Sequence, residues 1–142
     1  MEEIKGFQGK YRFLSNFWSV SISFDGEIYP TVEHAYQAAK TLDQQWRMRI
    51  RQAGKPGDAK KIGGKVPIRS DWEEIKLKVM RNLVWQKFNE NVPLKEALLA
   101  TGDAKLIEGN QWGDTFWGIY RGRGLNHLGR ILMNVRKELR KA

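Results

Sequence analysis

The sequence predicts a mainly α-helical chain with a few short β-strands, an α+β arrangement, and three observations carry that prediction. Residues 71–89 and 125–139 repeat apolar side chains at helical spacing. Residues 31–40 begin as a helix begins. Pro30 precedes them, Thr31 can act as N-cap, and Glu33 puts a negative charge in the first turn, where it suits the helix dipole. Val20, Ile22 and Phe24 alternate with Ser21 and Ser23, the period of a half-buried strand, and Asp25-Gly26 is a hairpin turn leading to Glu27-Ile28-Tyr29.

Taken in order, residues 7–30 read as short strands and turns. Within them Tyr11 to Trp18 mixes aromatic rings with Arg12, Ser15 and Asn16. That mixture fits an aromatic core loop, and it fits equally a wall for a planar ring with polar groups to orient it. In the helix 31–40, Val32, Ala35, Tyr36, Ala39 and Leu42 fall on one arc, with Glu33, Gln37 and Lys40 beside it within roughly 60° of helix surface. Read alone, that polar stripe is the solvated face of a surface helix. A carboxylate and an amine in one row are also groups able to do acid–base or nucleophilic work.

Residues 44–65 are basic and break into two short helices at Gly54-Lys55-Pro56-Gly57. Gly63-Gly64-Lys65 lacks the spacing of a Walker motif, so the stretch reads as a solvated charged face. Ser70 with Glu73 forms a capping-box pattern at the head of the main core helix. Its face is Trp72, Ile75, Val79, Met80, Leu83, Val84 and Phe88, so Trp72 can be core or pocket. Pro93 starts another helix, which Thr101-Gly102 ends. In the glycine- and aromatic-rich stretch 105–124, Asp114 is either a turn residue or a second carboxylate in an aromatic pocket. The run from Gly122 to Gly129 lacks the dinucleotide fingerprint. It opens a last helix with Leu125, Leu128, Leu132, Val135 and Leu139 on one face and Asn126 near its start, where backbone N–H groups could hold a phosphate.

The totals set bounds. With 142 residues the chain suits a single domain, 1–142, able to bury a core without staples. Hydrophobic residues at 41% and charged residues at 29% indicate a globular chain rather than a disordered one. No run is long enough to span a bilayer, and Met-Glu-Glu-Ile-Lys is no signal peptide, so no membrane partner and a cytoplasmic location are expected. Cysteine is absent, which excludes disulfides, a thiolate nucleophile and a Cys-based zinc site; His34 and His127 lack metal spacing, so no metal is expected. The formal charge of +9 favours anionic partners such as nucleic acid, nucleotides or phosphorylated sugars.

Several blocks then align into a larger pattern. They are Arg12-Phe13-Leu14-Ser15-Asn16-Phe17; Glu33-His34-Ala35-Tyr36-Gln37-Ala38 with Lys40; and Arg69 with Asp71-Trp72. Val79-Met80, Leu99 with Thr101-Gly102, Glu108, and Asp114 with Phe116-Trp117-Gly118 follow. Gly124 with Asn126 and Leu128-Gly129, then Leu132-Met133 with Val135-Arg136, complete the set. In this order, from about residue 7 to 139, the chain resembles the NADAR or YbiA-like family. The resemblance implies a compact, mainly helical fold with a few short strands. It also implies hydrolysis of N-glycosidic bonds in ribose-phosphate compounds without a cofactor. Two substrate classes follow from it: phosphorylated intermediates of riboflavin biosynthesis, and ADP-ribose attached to guanine bases in DNA or RNA. The second class brings a cognate ADP-ribosylating toxin as a partner the resemblance allows.

The expected pocket takes Glu33, Lys40 and Asp114 as catalytic groups. Arg12, Phe13, Ser15, Asn16, Phe17, Gln37, Trp72, Trp112, Trp117 and Asn126 are expected to bind substrate, the rings stacking a base and Arg12 holding phosphate. Two binding-only readings stand beside the enzyme, a basic nucleic-acid module and an ADP-ribose reader. A pure reader has no need of Glu33, Lys40 and Asp114 together. Among substrates, the +9 charge favours ADP-ribosylated nucleic acid. Two mechanisms fit: Glu33 and Asp114 as the acid–base pair of a glycosidase, or attack by Lys40 on the anomeric carbon with carboxylates moving protons.

Overall fold

The computed structural model describes residues 2–141. By internal packing the chain divides into two units, one of Asn16–Lys87 and one of Met1–Ser15 with Phe88–Ala142. No helix among the described residues is long and apolar enough to cross a membrane.

The Asn16–Lys87 unit is built around a short helix. A hairpin comes first: β2 (Ile22–Phe24) pairs antiparallel with β3 (Glu27–Tyr29), Ile22 opposite Tyr29. Asp25 and Gly26 both take positive φ (48° and 84°), the backbone that a two-residue hairpin turn requires. Next is α1 (Val32–Ala39), with Thr31 Oγ1 accepting the His34 N–H at 3.0 Å as N-cap. α2 (Gln44–Gln52) is capped by Asp43, and α3 (Pro56–Gly63) starts on its proline. α4 (Trp72–Asn89) follows, its residues through Lys87 belonging to this unit. The hairpin, α2 and α3 all pack on α1.

Two expectations change here. α1 ends at Ala39, so Leu42 leaves the apolar arc and stands 63% exposed. The Ser70 box is replaced by a different start. The Asp71 carbonyl accepts the Ile75 N–H (3.2 Å), the helix begins at Trp72, and the Glu73 carboxylate pairs with Lys76 (2.7 Å).

In the other unit β1 (Glu3–Lys5) runs parallel to β4 (Lys105–Ile107), Ile4 opposite Leu106. A 3₁₀ helix (Gly9–Leu14) stands where short strands were expected. α5 (Val92–Ala100) and α6 (His127–Lys141) pack together, and α6 also lies on β4. The buried face of α6 is Leu128, Leu132, Val135, Arg136 and Leu139. Leu125 precedes the helix and is 51% exposed.

Candidate active site

All eight residues of α1 are buried. Read alone, its polar stripe suited solvent; the structure buries Glu33 and Gln37 and leaves Lys40 half-buried. Glu33 and Gln37 are 8% and 3% exposed, and Gln37 Nε2 donates to Glu33 Oε2 at 2.6 Å. An i,i+4 pair of this kind is ordinary on a helix; its burial is not. The unpaired peptide groups at the ends of α1 are served from outside it, the Glu33 N–H by the Asn16 carbonyl and the His34 N–H by Thr31 Oγ1, so Glu33 and Gln37 do not serve them. Gln37 Oε1 has no hydrogen-bond partner. It lies against Gly63 of α3, where an added Cβ would come within 1.9 Å of that oxygen.

Lys40 caps α1 at its C-terminal end, and its carbonyl accepts the Arg69 N–H at 2.8 Å. Arg69 chelates Asp71 (2.7 and 3.3 Å), which fixes the turn leading into Trp72. Trp72 is 4% exposed and its ring lies 5.2 Å from that of Tyr36, while Lys40 Nζ stands 5.7 Å over the Tyr36 ring. Burial lowers the Lys40 pKa from its ordinary value, Glu33 opposes this, and the positive charges of Lys60 and Lys76 add to it. The opposing effects of burial and Glu33 on this amine therefore resolve toward the neutral form. Asn16 is 9% exposed; its carbonyl accepts the Glu33 N–H (3.1 Å) and its amide reaches Met80 Sδ (3.4 Å). Phe17 is half-buried. His34 is structural: Nε2–H donates to the Ala53 carbonyl (2.9 Å), and Nδ1 meets the Thr31 hydroxyl (2.7 Å).

The remaining predicted residues belong to the other unit: Arg12, Phe13, Ser15, Trp112, Asp114, Trp117 and Asn126. Arg12 is exposed, Ser15 closes the 3₁₀ helix through its N–H to the Arg12 carbonyl (2.9 Å), and Phe13 meets Phe88 edge-on. Asp114 Oδ1 accepts the N–H groups of Phe116 (3.1 Å) and Trp117 (2.9 Å). Asn110, which the sequence reading passed over, organises this loop. Its Oδ1 accepts the N–H groups of Trp112 and Asp114, and its Nδ2 donates to the Asp114 carbonyl (2.8 Å) and to Glu108 Oε2 (3.2 Å). Trp117, Phe116 and His127 cluster, with the Phe116 ring 4.8 Å from Trp117 and 4.6 Å from His127.

Asn126 sits at positive φ (53°), and its amide bridges the Glu108 N–H and the Leu106 carbonyl, both at 3.0 Å. The phosphate role suggested for the start of α6 meets an obstacle. The His127 and Leu128 N–H groups donate to the carbonyls of Phe116 and Trp117 (3.2 and 3.0 Å), so the chain itself fills that helix end. Trp112 is 61% exposed and lines a groove with Lys5 and Gln8.

Sequence reading also passed over Lys87. It is 1% exposed, and burial pushes its pKa down to about 7. The signal was present, since Lys87 falls on the helical face of Met80, Leu83, Val84 and Phe88.

The model of the NADAR domain matches residues 5–140. The chain belongs to the NADAR family. It is 40% identical over 132 residues to N-glycosidase YbiA of Escherichia coli (strain K12), covering 91% of this chain and 82% of that one. It is 39% identical over 136 residues to N-glycosidase Npun_R5314 of Nostoc punctiforme, covering 92% and 86%. A 42% match over 130 residues to Riboflavin biosynthesis protein VVA0006 of Vibrio vulnificus covers 89% of this chain but 35% of that longer protein. Among solved structures, the NMR structure of Escherichia coli YbiA superposes with a TM-score of 0.87 at 37% identity, covering 99% of this NADAR chain and 86% of YbiA. The mainly helical fold with short strands is thus the fold of YbiA.

Proposed function

We infer that this NADAR protein is an N-glycosidase in which Lys40 is the nucleophile. The observation that carries the reading is a half-buried amine with a lowered pKa, at the C-terminal end of the helix whose buried face holds a Gln37-bonded Glu33 carboxylate. A lysine attacks only as the free amine, and desolvation shifts Lys40 toward that form. In the reaction, the Lys40 nitrogen bonds to C1′ of the ribose while the C1′–N bond to the base breaks. The bonding pair leaves on the base nitrogen, which takes up a proton. The Lys40 nitrogen gives up its own proton, with Glu33 moving protons beside it. The ring then opens to an imine, water adds to C1′, and the amine departs to free the sugar. The Tyr36 ring, 5.7 Å from Lys40 Nζ and packed on Trp72, supplies apolar surroundings on one side of the amine.

The substrate is a ribose-phosphate compound, and the +9 charge supports ADP-ribose attached to guanine in nucleic acid. The phosphorylated riboflavin intermediate is the second reading, supported by the name of the Vibrio relative. A product assay offering both substrates side by side separates them. Guanine-linked ADP-ribose on DNA should be cleaved faster, with a rate that falls steeply between low and physiological salt. Faster release from the free intermediate at every salt overturns that choice. Borohydride added during turnover should trap a ribose adduct on Lys40, and none on the Lys40→Ala variant.

A further inference from the structure

Helix α3 belongs to the basic stretch that reads as a solvated face, and its geometry sorts the charge onto one bare side. Ala59 and Gly63 are buried, Gly63 lying on Gln37 of α1. At about 100° per residue, Gly57, Lys60, Lys61 and Gly64 fall opposite them, within roughly 100° of helix surface, and the carboxylate of α3, Asp58, lies off that arc. Lys60, Lys61 and Gly64 are exposed, as is Lys65, which follows the C-cap with its N–H on the Ile62 carbonyl (2.9 Å). The ion pairs of this unit use Arg47, Arg51, Arg69 and Lys76; Lys61 and Lys65 enter none among the described residues. The two glycines have no steric reason to stand there. A Cβ at Gly57 would meet nothing within 4 Å, one at Gly64 would meet only the Lys61 and Lys60 carbonyls at 3.4 and 3.9 Å, and the Gly64 φ of −71° suits any residue. Glycine weakens a helix relative to alanine, so the chain gives up helix propensity and keeps this face without side chains between its lysines. α3 packs on α1, and the charge of Lys60 reaches the Lys40 amine, so the face borders the proposed site.

We propose that the outer face of α3 holds the phosphodiester backbone of a nucleic-acid strand, its phosphates meeting Lys61 and Lys65 across the bare surface between Gly57 and Gly64. The proposal rests on the reading of the substrate as modified nucleic acid and adds where the strand lies. Charge complementarity chooses the occupant. Phosphates recur along a strand, so each lysine can meet one while the modified base stays at Lys40, and contacts of this kind position a strand without reading its sequence. An anionic membrane surface also attracts lysines, but a helix lying on lipid needs an apolar face to bury in it, and the outer arc of α3 carries only glycine and lysine.

The test is fluorescence anisotropy of a labelled, unmodified, single-stranded oligodeoxynucleotide with the full chain, followed across salt. Lys61→Gln with Lys65→Gln should raise the Kd at low salt by about tenfold and flatten the slope of log K on log salt by about 1.4, the share of two phosphates. Lys105→Gln with Lys137→Gln removes the same charge from the other unit and should leave both quantities close to wild type. Gly57→Leu changes no charge. It should weaken binding severalfold while melting no lower than wild type, because its side chain enters open space. Wild-type affinity and slope in the Lys61, Lys65 double variant, an equal loss in the Lys105, Lys137 variant, or wild-type affinity in Gly57→Leu overturns the proposal. So does binding to phosphatidylserine vesicles that needs Lys61 and Lys65 when oligonucleotide binding does not. Cleavage of a small ribose-phosphate substrate is measured separately and should be unchanged in the Lys61, Lys65 double variant. Its absence in wild type would sink the glycosidase reading and leave the binding result standing, so the two failures are told apart.

Discussion

The α1 stripe and the 108–126 loop are both dense in polar side chains, and they use them in opposite ways. In the loop, Asn110, Asp114 and Asn126 turn their oxygens and amides onto backbone N–H and carbonyl groups that no regular element serves. On α1 the exposed backbone ends are served by Asn16, Thr31 and Arg69 rather than by the stripe, so Glu33 and Gln37 meet each other and the half-buried Lys40 amine stands over the Tyr36 ring. The difference teaches where chemistry can sit. Polar groups on a glycine-rich loop are consumed in making the loop a structure. Polar groups on a buried helix keep their reactivity, at the cost of burial.

The largest expected effect falls on the stripe. Lys40→Ala should reduce turnover to the assay background, and Glu33→Gln should lower it by about 10² to 10⁴-fold. The pH profile carries the sharper reading. The amine acts only when neutral, so kcat/KM rises with pH through the Lys40 pKa. Because burial lowers that pKa, the rising limb sits below the ordinary lysine value of 10.5. Lys60→Gln and Lys76→Gln each remove a positive neighbour that favours the neutral amine, so each should move the limb to higher pH. A limb that stays in place in both variants would show that the titrating group is not Lys40.

Lys87 extends the comparison to a second buried helix face. Its folded pKa of about 7 lies below the unfolded value of 10.5, so between those pH values the unfolded chain binds more protons. Stability therefore rises with pH across that window and carries the full penalty below about pH 7. At about 1.4 kcal/mol per unit, the whole window is worth roughly 5 kcal/mol. Urea denaturation of wild type and Lys87→Met from pH 7 to 10 should give a stability difference that moves in favour of wild type as pH rises. A difference independent of pH would mean that Lys87 is charged in the fold.

How much of this could be read from the chain depends on the range of the interaction. The cap at Thr31, the Asp25-Gly26 turn and the break before Pro56 are local, and each stands where the residues place it. The parallel pairing of Ile4 with Leu106 joins two three-residue strands far apart in sequence, and neither carries enough alternation to announce itself. Glu33, Gln37 and Lys40 were legible as polar residues at a helical spacing. The burial of Glu33 and Gln37 was not, because periodicity describes one helix and cannot count the elements that pack on it. Lys87 was readable from the same periodicity, as a charge among apolar neighbours.

A middle-sized effect tests how the stripe is held. Gly63 gives Gln37 its place, and an alanine there brings a Cβ within 1.9 Å of Oε1 and 2.9 Å of the Gln37 Cβ. Gly63→Ala should destabilise the protein by about 1–3 kcal/mol through overpacking and lower turnover by disturbing the Gln37–Glu33 hydrogen bond. In a Gln37→Ala background the same change should cost less, with a coupling of about 1 kcal/mol by denaturation. Strict additivity would mean that α3 yields freely and that Gln37 is placed by α1 alone.

The smallest effect decides whether the loop belongs on its side of the comparison. Asp114 serves two backbone N–H groups with Oδ1, a task that needs an acceptor and not a charge. Asp114→Asn keeps an oxygen there and should cost about 1 kcal/mol, the difference between a charged and a neutral acceptor; Asp114→Ala leaves both donors unserved and should cost about 1–3 kcal/mol. Thermal denaturation ranks the two. Turnover is then read per folded molecule. If Asp114 is a turn residue, Asp114→Asn cleaves at close to the wild-type rate, because nothing on the α1 stripe has changed. If that variant melts like wild type yet has lost its turnover, the second oxygen is an acid–base group after all. The loop would then do chemistry as well as hold shape, and the glycosidase would work with two carboxylates rather than with Glu33 beside a lysine.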